Sequence, residues 1–162
     1  MSATAWSCWL ASLRGHRLRW SVPDKSVPPG FQPIHQTSGF AEANGPWFER
    51  VEDGRLIRGF RPGPQHSNSH GIVHGGMLAS FLDSAMGSTV FHVLQRRCVT
   101  VRLSLDYLMP GRVGDWLQAE AEVIGHDEHM AQVKGRLYGP RHEALVGQGT
   151  FALLSRKRPP RS

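Results

Sequence analysis

Residues 68–87, NSHGIVHGGMLASFLDSAMG, carry the residue types and spacing best suited to chemistry. Gly75 and Gly76 stand where an apolar run begins, so no side chain shields their N–H groups. A helix starting there presents unpaired N–H donors and roughly half a positive charge. That is a place for an anion, or for a carbonyl oxygen on its way to becoming an oxyanion. Asp83 is the single acid of the run. A partly desolvated carboxylate can take a proton from water; equally, it can pair with a neighbour, since acids are almost never fully buried unpaired. Asn68 either joins that chemistry or holds the loop through side-chain-to-backbone bonds. His70 and His74 are four apart, the spacing of two metal ligands on a helix. Gly71, Gly75 and Gly76 oppose helix there and no third ligand is evident, so neither a metal nor a cofactor is expected.

The element that must position these groups is one long helix, predicted over 76 to about 94. On a wheel of 100° per residue, Met77, Leu78, Phe81, Leu82, Ala85, Met86 and Val93 form a broad apolar stripe for a sheet to cover. Ser80, Asp83, Ser84 and Gly87 fall opposite. Residues 75–94 contain no Lys, Arg or Glu, so this small, polar face is not that of an ordinary solvated helix. It invites close approach of a partner. Asp83 lies eight residues past Gly75, about 12 Å along the axis. A base must act within hydrogen-bond reach of the reacting centre. One chain therefore cannot use both groups on one substrate. Two helices packed antiparallel across a two-fold axis can, which gives two composite sites per dimer.

The rest of the chain supplies strands. A short helix capped by Ser38 is expected up to Asn44, then a hairpin of Trp47–Val51 and Arg55–Arg61 turning at Asp53-Gly54. Pro62 and Pro64 stop its second strand. Residues 97–108 alternate, with Val99, Val101, Leu103 and Leu105 on one face and Thr100, Arg102, Ser104 and Asp106 on the other. Three further strands are expected over 116–125, 130–139 and 143–155. The order β-β-α-β-β-β-β indicates an α+β domain whose antiparallel sheet curls around the helix.

The 162 residues make about one domain, 40% hydrophobic and 20% charged, which suits a packed core. No window approaches the roughly 18–20 uninterrupted apolar residues of a membrane span, so a soluble core and no membrane partner are expected. The net charge is +6, much of it at the ends: Arg14, Arg17 and Arg19 in front, Arg156, Lys157, Arg158 and Arg161 behind. A basic balance could serve a phosphorylated ligand; no zinc-finger, RNP or helix-turn-helix pattern accompanies it, so no nucleic acid is expected. Cys8 and Cys98 make neither a disulfide framework nor a zinc spacing, which points to the cytoplasm. Residues 1–30 differ in character. Trp6, Trp9 and Trp20 mix with arginines, no acid precedes Asp24, and prolines follow. They read as a poorly ordered basic, Pro-rich extension, with a targeting segment as the alternative. The domain is expected over 31–155 and a basic tail over 156–162.

Asn68, His74-Gly75-Gly76 six residues later, Asp83 nine residues after that histidine, and the strand-turn VTVRLSLDYLMPGRVGD together resemble the PaaI-type acyl-CoA thioesterases of the hotdog fold. The likeness spans about residues 38–154. It implies a curved antiparallel sheet of five to six strands around one central helix, and homodimers or dimers of dimers that pair their sheets side by side. It implies hydrolysis of acyl-CoA to free acid and CoA. The Gly75 N–H would polarise the thioester carbonyl. Asp83 would act as general base on water or as nucleophile. Asn68 would orient the thiol or the water, His74 would hold the turn or the substrate, and Thr100 would help to place water. Gly76 and the basic side chains of Arg61, Arg102 and Arg112 are candidate substrate contacts, with Arg96, Arg97, Lys134 and Arg136 as further partners for the CoA phosphates. Phe40, Trp47, Phe48, Phe81 and Met77 would set pocket depth. Two other functions share the fold: an acyl-CoA sensor, which would not need Asp83, and a 3-hydroxyacyl-thioester dehydratase, which needs an acid/base pair the His-Gly-Gly turn does not supply.

Overall fold

The computed structural model describes residues 27–35 and 38–155. The extension expected over 1–30 lies outside the described residues up to 26, and the tail over 156–162 lies outside them entirely. The elements are β1 (Gln32–Pro33), α1 (Gly39–Asn44), β2 (Trp47–Glu52), β3 (Arg55–Phe60), a 3-10 turn (Pro64–His66), α2 (Gly75–Leu94), β4 (Cys98–Tyr107), β5 (Leu117–His126), β6 (Met130–Tyr138) and β7 (Glu143–Leu153). They form one antiparallel sheet in the order β1-β2-β3-β5-β6-β7-β4, with α2 packed across β3 to β7. This is the curved-sheet hotdog architecture with one long central helix. Its sheet has seven strands, not five to six, because the two residues of β1 pair with β2 and a stretch that short, with a proline in it, leaves no strand pattern.

The local signals act as written in the chain. Ser38 Oγ accepts the Ala41 N–H at 3.2 Å and caps α1. The β2–β3 hairpin turns through Asp53 and Gly54 with φ of 51° and 76°, the two left-handed positions of a two-residue turn. On α2 the buried row is Met77, Leu78, Phe81, Leu82, Ala85, Met86, Thr89 and Val90. Val93, placed on the apolar stripe by the wheel, is exposed instead. Val90 continues the Leu82–Met86 ridge at spacing four and takes the buried place. By length and mean hydropathy of 1.3, α2 could cross a membrane, yet it is the core helix of the sheet.

Phe60 and Phe81 pack at 4.2 Å between centroids, with Trp47 on Phe81 at 5.4 Å. Each such burial contributes roughly 1.5–3 kcal/mol. Beneath Met86 the sheet needs glycine. A Cβ on Gly135 would meet Met86 Cε at 2.9 Å, and one on Gly149 would stand 3.3 Å from its sulfur. A second cluster, Phe31, Phe48, Ile57 and Trp116, fills the other face of β2 and β3.

Candidate active site

The loop before α2 is tied down by its own polar groups. The His66 ring accepts the Gly63 N–H on Nδ1 at 3.0 Å, and the His66 carbonyl accepts the His74 N–H at 2.8 Å. Asn68 Oδ1 accepts the His70 N–H at 2.9 Å, while the Asn68 carbonyl accepts from Gly71, which has φ of +74°. The Asn68 side chain thus holds the loop with its oxygen, leaving its NH2 as donor. His70 is exposed in that turn and His74 caps the helix, so the two do not share a helix face. Val73 N–H reaches the Gly111 carbonyl at 2.9 Å and pins the loop to the turn after β4.

At the start of α2 the orphan amides can be followed one by one. The Gly76 N–H donates to His74 Nδ1 at 2.9 Å. The Met77 and Leu78 N–H groups donate to the His74 carbonyl at 2.9 and 3.3 Å. Of the first four amides, those of His74 to Met77, only the Gly75 N–H has no acceptor among the described residues and keeps its capacity for a ligand. Gly76, a candidate substrate contact by sequence, has its amide engaged by His74. Tyr107 completes the arrangement: its hydroxyl donates to the Gly75 carbonyl at 3.0 Å, and its ring lies 3.2 Å from where a Cβ on residue 75 would stand. Sequence reasoning missed Tyr107, although its place two residues beyond Leu105 puts it on the helix-facing side of β4.

Asp83 sits partly exposed on the small polar face of α2, and its Oδ1 accepts from Thr100 Oγ1 at 2.8 Å. Strict alternation would have turned Thr100 away from Leu103. A β-bulge between Thr100 and Arg102 adds Val101 to β4, so Cys98 and Thr100 share the helix face with Leu103, Leu105 and Tyr107. Val99 then joins Arg102, Ser104 and Asp106 on the outer face, which corrects the face assignment made from alternation. Cys98 borders the same place: burial raises its thiol pKa, and the Asp83 charge adds to the rise.

A cavity of about 470 Å³ opens beside Asp83, lined by Phe40, Trp47, Ser80, Ser84 and Arg58 among others. Phe40 and Trp47 were expected in such a pocket. Phe81 and Met77 lie in the core, and Phe48 lies in the second cluster. Arg58 was not anticipated, although alternation with Leu56 and Phe60 on β3 places it on the helix face. Burial pushes its guanidinium below the ordinary value, with Glu49 opposing that shift.

The predicted basic contacts do not gather at Asp83. The Arg61 guanidinium donates to the Gly114 carbonyl and lies 5.7 Å over the Trp116 ring. Arg102 is exposed on the outer face of β4, and Arg112 bridges Ile72 beside the loop that leads to Gly75. Arg96 holds carbonyls at Leu154 and Glu128; Lys134 pairs with Glu122, and Arg136 with Glu120 and Glu143. Arg97 is exposed just before β4.

Residues 70–141 match the thioesterase superfamily family model. The chain is 33% identical over 131 residues to a predicted esterase of Pseudomonas aeruginosa, covering 79% of this chain and 98% of that protein. It is 26% identical over 98 residues to acyl-coenzyme A thioesterase 13 of Mus musculus, covering 59% of this chain and 69% of that one. Among solved structures, the PaaI protein of E. coli superposes with a TM-score of 0.66 at 22% identity, covering 74% of this chain and 86% of the other. A Bacillus halodurans protein solved with CoA gives 0.66 at 26% identity, covering 76% and 83%. The family-model match and the 33% identity along nearly the whole of the Pseudomonas aeruginosa relative show that the chain belongs to the thioesterase superfamily and is a thioester hydrolase.

Proposed function

We propose that the protein hydrolyses acyl-CoA thioesters in a homodimer whose two sites each draw on both subunits. The observation that carries this reading is the division of labour along α2. The one amide left for a carbonyl is at its start, on Gly75, and Asp83 lies roughly 12 Å further on, facing outward on a small-residue stripe. A second copy running antiparallel brings the two groups together. The sheet edge supports such pairing. β4 ends the strand order, is ten residues long and carries Val99 and Val101 half exposed. An open edge of this length is a template for another strand. The CoA bound to the Bacillus halodurans protein and the mouse acyl-coenzyme A thioesterase support the substrate class.

The thioester carbonyl accepts from the Gly75 N–H, where the helix dipole favours the growing negative charge. Asp83 of the partner subunit takes a proton from water as the water oxygen attacks the carbonyl carbon. Thr100 holds one carboxylate oxygen and leaves the other for the water. The tetrahedral oxyanion collapses, the carbon–sulfur bond breaks, and the sulfur leaves as thiolate to be protonated. The Asn68 NH2 supplies a donor for the leaving sulfur or the water. His74 keeps the helix start in shape by engaging Gly76.

Thiol release from a panel of acyl-CoAs tests this. Asp83→Asn and Asp83→Ala are expected to lose about 10²- to 10⁴-fold in kcat, the usual worth of a general base. Two variants hydrolysing as fast as the native protein would remove Asp83 from the mechanism. A native protein that binds acyl-CoA and hydrolyses none would be a sensor. Subunit exchange addresses the shared site. Gly75→Pro removes the amide donor at a position where helices accept proline, and mixing it with Asp83→Ala should restore part of the activity. No recovery on mixing would place each site within one chain.

A further inference from the structure

The cavity beside Asp83 has walls of two kinds. Phe40 and Trp47, edge to face at 6.3 Å, form an apolar wall. Ser80, Ser84 and the Arg58 guanidinium form a polar one. The Arg58 side chain is 13% exposed; it donates to Ser84 Oγ at 2.9 Å and to Glu49 at 3.3 Å. Its Nε is buried and has no hydrogen-bond partner among the described residues. A guanidinium carries five N–H donors in a fixed fork, and buried donors are normally satisfied. The hydrolytic steps above make no use of this one. Nη1 and Nη2 each spend one N–H on Ser84 and Glu49 and each carries a second, so a charged guanidinium with donors to spare lines the same cavity as the carboxylate assigned to water.

We propose that Arg58 determines acyl-group specificity by donating to a neutral oxygen, a carbonyl, hydroxyl or ether, carried on the acyl chain. The inference rests on the hydrolytic reading in taking this cavity as the place of the acyl chain. A carboxylate on that chain is disfavoured. Glu49 already neutralises the guanidinium, and Asp83 faces the same space, so a third negative charge meets repulsion. A hydrocarbon chain leaves the buried donors unmatched. A site built to hydrogen-bond an oxygen rejects the analogue lacking it far more strongly than an apolar pocket discriminates one methylene.

The experiment compares thiol release from matched CoA thioesters: pentanoyl with 4-oxopentanoyl, hexanoyl with 5-oxohexanoyl, octanoyl with 7-oxooctanoyl, and adipoyl as the anionic chain. In the best-matched pair, kcat/KM is expected to favour the oxo chain by about tenfold or more, as for a polar group met by a fitted donor. Arg58→Met is expected to bring that ratio to about one, the donor being lost. Glu49→Gln leaves the guanidinium without its counter-charge and should raise adipoyl over 5-oxohexanoyl by roughly tenfold, the sign set by the charge it removes. A merely structural Arg58 would not produce that shift, and Glu49→Gln decides the matter if Arg58→Met fails to fold. A native preference for the saturated chain in every pair, or a ratio untouched in both variants, overturns the proposal. If no thioester is hydrolysed, the hydrolytic reading fails by itself. The same pairs are then compared as dissociation constants by calorimetry. An oxo preference lost in Arg58→Met upholds the role of Arg58, and equal affinities for both chains overturn it.

Discussion

His74 spends its ring nitrogen and its carbonyl on two of the four orphan amides of α2, those of Gly76 and Met77, its own N–H goes to the His66 carbonyl, and what remains is the Gly75 N–H. The selectivity comes from local geometry, because a cap that took fewer amides would leave several competing donors for one oxygen. Asp83 is treated similarly: Thr100 donates to one oxygen, and the proposed mechanism gives the other to water. Thr100→Val keeps the shape of the side chain and removes that hydrogen bond. Loss of about 1.4 kcal/mol of positioning corresponds to a tenfold lower rate. Steady-state kinetics on the variant should accordingly show kcat down about tenfold with KM little changed. A kcat equal to that of the native protein would mean Asp83 needs no orienting partner.

Most of this was legible in the sequence at the level of residue types. The glycine pair, the lone acid and their spacing were visible, because a helix fixes the rise per residue. Thr100 was visible only through the family resemblance, and its contact with Asp83 was not readable from alternation. A single inserted residue, Val101, reverses the face of everything before it on β4, and no local composition marks it. Arg58 and Tyr107 were hidden for a related reason. Each sits at an ordinary strand position, and only the closure of the sheet around α2 brings it to the helix.

At the scale of elements, the 3-10 turn and the loop after it stand between β3 and α2, and His66 joins them. It is 4% exposed and packs on the Phe60 ring at 5.9 Å. Burial pushes its imidazole below the ordinary 6.5, with the Asn44 carbonyl opposing. The folded state therefore holds His66 neutral under conditions where the unfolded chain takes up a proton. Stability from this residue is present above 6.5 and is lost as pH falls below it, toward the depressed folded value. Thermal unfolding followed from pH 7.5 to pH 5.5 should show Tm falling on the acid side. His66→Gln, which can still accept from Gly63, should fall less steeply. Parallel slopes for the two proteins would show that His66 contributes nothing to the acid sensitivity of the loop.

The whole molecule is asymmetric in how it finishes its surface. At one end of the strand order β1 is two residues long, too short to recruit a partner; at the other, β4 presents ten residues with half-exposed valines. Natural edges of that length are covered, twisted or charged; β4 carries a bulge and the exposed Arg102 and Asp106, and its half-exposed valines still leave it a surface for pairing. A side-by-side dimer through β4 covers it and also sets two copies of α2 against each other. In that arrangement assembly and catalysis are one equilibrium. A lysine placed on the edge should weaken pairing while leaving Gly75, Asp83 and Arg58 in place. Val101→Lys is therefore expected to run smaller than the native protein by light scattering at micromolar concentration. Its thioesterase activity per mole should rise with protein concentration, in step with the dimer fraction. The concentration dependence is the decisive readout, since a lysine that merely disturbed Thr100 would lower activity by the same factor at every concentration. A monomer with constant, undiminished activity per mole would mean that a single chain carries a complete site, and the composite arrangement along α2 would have to be abandoned.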